Sequence, residues 1–426
     1  MQERIDENMI KAILFGVNLP SSDHEETEYS LRELERLADT AQIEVVGKYI
    51  QNRKSIDKTT YAGIGFIGNC LDEHPEVELL IFDNELTGTQ AKNIREKFKV
   101  EVTDRTEIIL DIFHKHAGTR EAKLQVHLAE LEYQLPRLKK LWSHLDRERG
   151  QAGGSGGTSR GMGEKQIEID RRKIMQEISK TRRELKKLDT QMIIQRKKRE
   201  NEKKVCLVGY TNAGKSTLFN QLTNAGVLVE NKLFATLGST ARTVNLGKGM
   251  DIILSDTVGF ISNIPHKLIA SFRATLKDVQ DADLLLHIVD IADPAYDRYL
   301  SAVDDVLKEI GADGVPMIIL ANKTDLLISD GQTGFPDKDM IPISARTGKN
   351  LELLLKMLSD RLFPRQRIEL LIPVDKPALL EKIHQSSEII REQYTRDGFL
   401  VEVLMNPENV EYFKPYYRKR NSVVLD

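Results

Sequence analysis

Cysteine is nearly absent from this chain. Its 426 residues include two, Cys70 and Cys206, far apart and both in apolar stretches. That excludes a disulfide scaffold and a cysteine-rich zinc site, and it suits a reducing compartment. Both thiols read as small buried hydrophobes. Long apolar runs are missing too. No segment approaches the ~20 apolar residues of a membrane span, and the mixed-charge start Met1-Gln2-Glu3-Arg4 lacks a signal-peptide core. The expectation is a cytoplasmic protein with no stable membrane insertion. Net charge is also scarce: 62 Lys and Arg face 65 Asp and Glu, a formal −3. A chain-wide polycation is excluded. Hydrophobic residues at 40% and charged residues at 30% suit a folded chain with several cores. The length suits roughly three domains.

What is present divides into four segments. Residues 1–118 read as an N-terminal α/β domain: apolar runs at Lys11–Val17, Ile43–Gly47 and Leu79–Phe82 alternate with helical patterns at Ser30–Thr40 and Thr87–Phe98. Residues 119–203 change character. Leu124, Leu128, Leu131, Leu135, Leu138, Trp142 and Leu145 step by four and three. Ile174, Ile178, Leu185, Leu188 and Met192 continue such a seam, with Thr181 filling one position. Between them, Gly150 to Gly163 is too glycine-rich to be helical. The expectation is a long antiparallel helical hairpin with a glycine tip and arms of ~25–35 residues, about 40–50 Å each. Residues 204–364 restore α/β alternation. Residues 365–426 read as a small C-terminal α/β module: a strand at Ile368–Pro373, a helix at Pro377–Thr395 and a strand at Phe399–Leu404.

The near-zero total hides an asymmetry. Arg120 to Lys204 carries 23 Lys and Arg against 13 Asp and Glu, net +10, which leaves −13 elsewhere. Arg171-Arg172-Lys173, Arg182-Arg183, Lys186-Lys187 and Arg196-Lys197-Lys198-Arg199 recur along one arm. A cationic prong suits a phosphate-rich partner.

The nucleotide site is the sharpest signal. Val205–Val208 is a buried-strand run, followed by Gly209-Tyr210-Thr211-Asn212-Ala213-Gly214-Lys215-Ser216 and a helix from Thr217. This is a P-loop in its strand–loop–helix context. Its backbone N–H groups and helix N-terminus receive phosphate. Lys215 is expected on the β- and γ-phosphates and Ser216 on Mg²⁺. Forty-one residues after Lys215, at a strand end, stands Asp256-Thr257-Val258-Gly259. It offers a carboxylate for the Mg²⁺ shell and a glycine N–H for the γ-phosphate. Asn322-Lys323-Thr324-Asp325 follows 66 residues after Asp256, and Ser344-Ala345-Arg346 lies 22 beyond Asn322. Asp325 accepts from guanine N1–H and its 2-amino group, donors that adenine lacks. The four motifs, in this order, resemble the translation-factor-like branch of P-loop GTPases. The switch between Lys215 and Asp256 needs a threonine for Mg²⁺. Thr236 is favoured and Thr240 is the runner-up, and Phe234-Ala235-Thr236-Leu237-Gly238 is expected as a whole to line the GTP site. The metal set is then Ser216, Thr236 and Asp256, and the catalytic set is Lys215, Gly259 and Asn212. In potassium-activated GTPases an Asn at the Asn212 position helps to hold K⁺. Phe260 stands where many GTPases carry a water-orienting Gln, so slow intrinsic turnover is expected.

The flanks resemble the HflX family of ribosome-associated GTPases. The stretches that carry the likeness are Phe82 to Asn93, Asp104-Arg105-Thr106, Ile109 to Phe113, Thr119-Arg120-Glu121, Leu135-Pro136-Arg137-Leu138, Gly163 to Arg172, Leu233 to Leu237 and Asp256 to Ile261. The resemblance implies a cytoplasmic, monomeric enzyme that takes GTP and Mg²⁺ and binds the large ribosomal subunit and its rRNA, not DNA. It implies a hairpin tip that reaches toward the peptidyl transferase centre, and a GTP state that splits stalled or idle ribosomes, often under stress. The chain departs from the family at Tyr61 to Gly68, which lacks the usual lysines, at Met162 to Gln166, and at Gly238-Ser239. These departures bear on ribosome affinity, switching and splitting itself, not on nucleotide binding. Two other readings compete: an rRNA-binding or assembly factor that GTP regulates without splitting, and a scaffold whose hairpin pairs with another coiled coil.

Overall fold

The computed structural model describes residues 9–21, 23–151, 160–197, 202–223, 234, 240–247, 250–257, 259–261, 273–327, 339–405 and 407–418. The chain begins as β1 Ile10–Asn18, α1 His24–Thr40, β2 Ile43–Asn52, α2 Ile64–Glu73, β3 Leu79–Phe82, α3 Gly88–Phe98, β4 Glu101–Asp104 and α4 Arg105–His116. The four strands form one parallel sheet in the order β2-β1-β3-β4. Its strands are apolar on both faces because helices cover both. Ile13, Phe15 and Val17 enter the core under α2 and α3, while Ala12 and Leu14 face α1 and α4. The Thr87 hydroxyl and the Gln90 side chain close a capping box at the start of α3.

Two long helices follow, α5 Arg120–Gln151 and α6 Arg160–Lys197. At 32 and 38 residues they span about 48 and 57 Å. Leu128, Leu131 and Ile178 are buried where the arms meet, with Leu135, Ile174 and Leu185 beside them. Thr181 is buried in the same seam. The helices run further into the glycine-rich stretch than its composition predicts. Gly150 lies in the last turn of α5, and Gly161 and Gly163 lie inside α6. Each helical glycine costs about 1 kcal/mol, which an already nucleated long helix tolerates at its end. Residues 152–159 of the expected tip lie outside the described residues.

The next unit comprises β5 Lys203–Gly209, α7 Lys215–Thr223, β6 Thr240–Asn245, β7 Asp251–Asp256, α8 Arg273–Gln280, β8 Leu284–Asp290, α9 Tyr296–Glu309, β9 Met317–Asn322, α10 Thr324–Leu327, β10 Ile341–Pro342 and α11 Leu351–Leu362. Its sheet runs β10-β9-β8-β5-β7-β6 and is parallel except for β6. The last unit is β11 Gln366–Ile372, α12 Pro377–Ser386, β12 Glu388–Thr395, β13 Gly398–Met405 and α13 Pro407–Phe413, with an antiparallel sheet β11-β13-β12. Here the single helix predicted over Pro377–Thr395 is corrected: its second half is a strand. The β-branched pair Ile389-Ile390 and the tight turn Arg396-Asp397 favour a hairpin with β13, and Ile389 pairs with Val403. The architecture is α/β, as the sequence predicts for a P-loop GTPase domain with an N-terminal α/β domain, a helical hairpin and a small C-terminal α/β module. No helix among the described residues is long and apolar enough to cross a membrane.

The N-terminal sheet, the hairpin and the nucleotide-binding unit meet at Asp104 and Arg105. Asp104 is fully buried at the end of β4. Its carboxylate accepts from Leu86 N at 2.8 Å, from the Tyr133 hydroxyl at 2.8 Å, and from Arg137 on α5. Arg105 turns the other way. Its guanidinium donates to Glu33 at 2.9 Å, to Asp83 at 2.6 and 3.0 Å, and to the backbone and side chain of Ser30. An apolar cluster continues across the boundary, where Phe113 packs edge-on against Phe234 with ring centroids 4.6 Å apart.

Candidate nucleotide-binding site

The loop between β5 and α7 needs glycine twice. Gly209 has φ +151° and Gly214 has φ +101°, regions that L-residues avoid. A Cβ would also strike the Ile288 carbonyl at Gly209 and the Asn322 amide at Gly214. Ala213 is buried, and its carbonyl accepts from Asn322 Nδ2 at 2.8 Å. Asn212 is exposed at the loop crest with φ 62°. Lys215 is buried, and its ammonium donates to the Gly209 and Tyr210 carbonyls at 3.0 and 2.7 Å. Burial lowers its pKa to about 8, although Asp256 pulls the other way.

Ser216, at the start of α7, donates from Oγ to Asp256 Oδ2 at 2.8 Å, and Thr217 follows it half-buried. Asp256 is fully buried at the end of β7. These two oxygen donors fit a hard cation such as Mg²⁺, which takes one or two protein ligands together with phosphate oxygens and water. Thr257 is held by its hydroxyl, which donates to the Leu207 carbonyl at 2.6 Å. A Cβ on Gly259 would sit 2.9 Å from Lys215 Nζ and 2.8 Å from Thr211 Cγ2, so backbone, ammonium and threonine converge there. Val258, Ala235, Thr236, Leu237 and Gly238 lie outside the described residues. The runner-up Thr240 pairs with Asp256 across β6 and β7.

The loops after β9 and β10 are tied together. Asn322 Oδ1 accepts from Ala345 N at 2.9 Å, so this one buried side chain links the P-loop to the loop after β10. Lys323 has φ 64° and pairs with Asp290 at 2.6 Å. Thr324 donates to the Ile343 carbonyl at 2.9 Å. Asp325 accepts from Ser344 Oγ at 2.7 Å, and Arg346 is exposed beside them.

Two expected site residues have their side chains elsewhere. The Tyr210 ring stacks on Tyr299 at 4.3 Å, and its hydroxyl donates to Glu33 of α1. The Phe234 ring is buried against Phe113 in the core between the two units, not presented to the loop. Phe260 is 3% exposed, and its backbone bonds Gly209 and Thr211 at 3.1 and 2.8 Å. Sequence reading misses Glu33 and Tyr299 as neighbours of the loop. Their signal is faint: a carboxylate on the buried face of an amphipathic helix. It also misses His287, fully buried on β8 with neither ring nitrogen hydrogen-bonded among the described residues. Burial and the nearby Lys215 charge push its pKa down to about 4.

Comparison with known proteins agrees over most of the chain. Models of a GTP-binding GTPase N-terminal region, a GTP-binding GTPase middle region and a 50S ribosome-binding GTPase match residues 28–114, 116–199 and 204–323. The chain is 41% identical to GTPase HflX of Magnetococcus marinus over 387 residues, 89% of each chain. It is 39% identical to GTPase HflX of Caldanaerobacter subterraneus subsp. tengcongensis over 421 residues, 97% of this chain and 95% of that one. A crystal structure of a GTP-binding protein from Sulfolobus solfataricus in complex with GDP covers 83% of this chain and 100% of its own, at 26% identity and a TM-score of 0.43.

Proposed function

Because the chain belongs to the HflX family of GTPases, we propose that it binds the large ribosomal subunit and, in its GTP state, splits stalled or idle ribosomes, with GTP hydrolysis resetting it. The units are 1–118, 119–203, 204–364 and 365–426. The hairpin is the rRNA-binding element: Arg172, Lys173, Lys180, Arg183, Lys186 and Lys187 all lie exposed along α6, and phosphate neutralisation supplies the affinity. The protein works as a cytoplasmic monomer.

GTP is held by the loop Gly209 to Thr217. Lys215 neutralises the β- and γ-phosphates, and the Gly259 N–H senses the γ-phosphate. Ser216, Asp256 and Thr236 would hold Mg²⁺, which would supply positive charge against the transferring phosphoryl group. Asp325 reads guanine, Ser344 and Asn322 fix that loop, and Ala345 and Arg346 flank the base. Asn212 lies where K⁺ would bind.

The observation that carries this reading is the buried connection from hairpin to nucleotide loop. Arg137 on α5 bonds Asp104, and the next residue, Arg105, bonds Glu33, which accepts from Tyr210 of the P-loop. A prong joined to the loop in this way lets the nucleotide state bias docking. Ribosome profiles on sucrose gradients test the reading, using the protein with a non-hydrolysable GTP analogue. Splitting supports it. Subunit binding without splitting favours the rRNA-binding or assembly factor, and absence of co-sedimentation removes the ribosome as partner.

A further inference from the structure

We propose that the Thr211 hydroxyl aligns the attacking water against the γ-phosphate, supplying what Phe260 cannot. The inference rests on the nucleotide-site reading above. It goes beyond that reading by assigning a side chain to the water.

Thr211 is the third residue of the P-loop and is 7% exposed. Its N–H donates to the Phe260 carbonyl at 2.8 Å, which fixes the residue against the segment after β7. Its hydroxyl oxygen is buried and has no hydrogen-bond partner among the described residues. A buried unpaired hydroxyl costs about 1–3 kcal/mol, and such groups in native folds call for a specific reason. Its surroundings supply one. The point where a Gly259 Cβ would stand lies 2.8 Å from Thr211 Cγ2 and 2.9 Å from Lys215 Nζ. The Thr211 side chain therefore shares one small space with the two groups that address the γ-phosphate, and Oγ1 hangs from the same Cβ as that methyl.

The other groups nearby do not fill this role. The Phe260 ring is buried in the core between the two units, and a hydrocarbon ring neither donates nor accepts. Lys215 and the Gly259 N–H only donate, so they bind phosphate but accept nothing from water. A hydroxyl does both: Oγ1 accepts from the water and donates to a γ-phosphate oxygen. It orients and does not take the proton. As the water oxygen bonds to phosphorus, the bridging β–γ oxygen leaves with the electron pair on GDP, and the water proton ends on the released phosphate.

Thr211→Val keeps the shape without the hydroxyl, and Thr211→Ser keeps the hydroxyl. Single-turnover hydrolysis and binding of GTP, GDP and GDP with aluminium fluoride are measured for both. Thr211→Val is expected to slow hydrolysis on the order of tenfold or more. It is also expected to lose aluminium fluoride retention, while GDP affinity stays within about twofold and GTP affinity falls by much less than the rate. Thr211→Ser stays near the parent. A Thr211→Val enzyme that hydrolyses at the parent rate overturns the proposal. So does a Thr211→Ser enzyme as slow as Thr211→Val, or a Thr211→Val enzyme whose GTP affinity falls as far as its rate. Lys215→Ala is the separate control: retained tight GTP binding there defeats the P-loop reading itself, independently of Thr211.

Discussion

The Tyr210 hydroxyl donates to Glu33 Oε1, a contact 177 residues apart in sequence that joins the nucleotide-binding loop to the first helix of the chain. The other carboxylate oxygen of Glu33 accepts from Arg105 at 2.9 Å. Glu33 is 6% exposed, so each partner satisfies an oxygen that water does not reach. Tyr210→Phe leaves Oε1 unpaired while keeping the stack on Tyr299. Its expected cost is about 1–3 kcal/mol of stability, read as a lower urea midpoint. Glu33→Gln keeps an acceptor for Tyr210 and is expected to shift hydrolysis less than Glu33→Ala does. An unchanged midpoint for Tyr210→Phe would remove the contact from the list of stabilising ones.

Arg105 carries a larger share. Removing it strands two buried carboxylates, Glu33 and Asp83, and frees the Ser30 carbonyl. Arg105→Met is expected to cost about 3–5 kcal/mol, the range for breaking a buried ion pair from one side. Arg105→Lys is expected to recover little, because one ammonium cannot reproduce a fork that serves Asp83, Glu33 and Ser30 together. Thermal unfolding of both variants checks this. A Lys variant as stable as the parent would contradict the fork geometry.

How much of this was legible follows from the range of each interaction. The P-loop, Asp256 and Asn322 to Asp325 stand out because each motif follows an apolar strand at a set offset, and the Leu124 and Ile174 seams show because heptads repeat locally. Asp104-Arg105-Thr106 and Leu135-Pro136-Arg137 were legible as marks of a family but not as a lock. Their meeting depends on Arg137 reaching Asp104 across 33 residues and on Arg105 reaching Glu33 across 72. No periodicity encodes such distances. The strand at Glu388–Thr395 is not legible as one because a polar, mostly exposed edge strand lacks the alternating burial that marks a half-buried one. The neighbours of Phe234 in sequence point to the nucleotide, while packing against Phe113 decides where its ring goes.

His287 makes the fold acid-sensitive. Its pKa is about 4 in the folded chain against an ordinary 6.5. Between those values the unfolded chain binds a proton that the folded chain refuses, so stability falls as pH drops. The expected loss from this one group is about 2 kcal/mol between pH 7 and pH 5. His287→Leu removes that contribution, and it also removes two buried nitrogens without hydrogen bonds among the described residues. The variant is expected to be more stable at pH 7 and to have a flatter pH profile than the parent, so that the gap between them widens at pH 5. Urea midpoints at pH 7 and pH 5 decide it. A parallel offset at both pH values would mean that the imidazole does not titrate in this window.

Lys215 gives nucleotide binding its own pH dependence. With its pKa lowered to about 8 by burial, the free loop begins to lose the ammonium charge at mildly alkaline pH. A bound triphosphate favours the charged form and raises that pKa. Above pH 8, binding must therefore take up a proton, and affinity falls as pH rises. From pH 7.0 to 8.5 the expected weakening is roughly fourfold. Lys215→Arg keeps its charge throughout and is expected to bind with a flat profile over the same range, whatever its absolute affinity. Titration of a fluorescent GTP analogue against both proteins measures the two slopes. A flat parent profile would mean that the lysine stays fully charged in the empty loop, held so by Asp256 and by the Gly209 and Tyr210 carbonyls to which it donates.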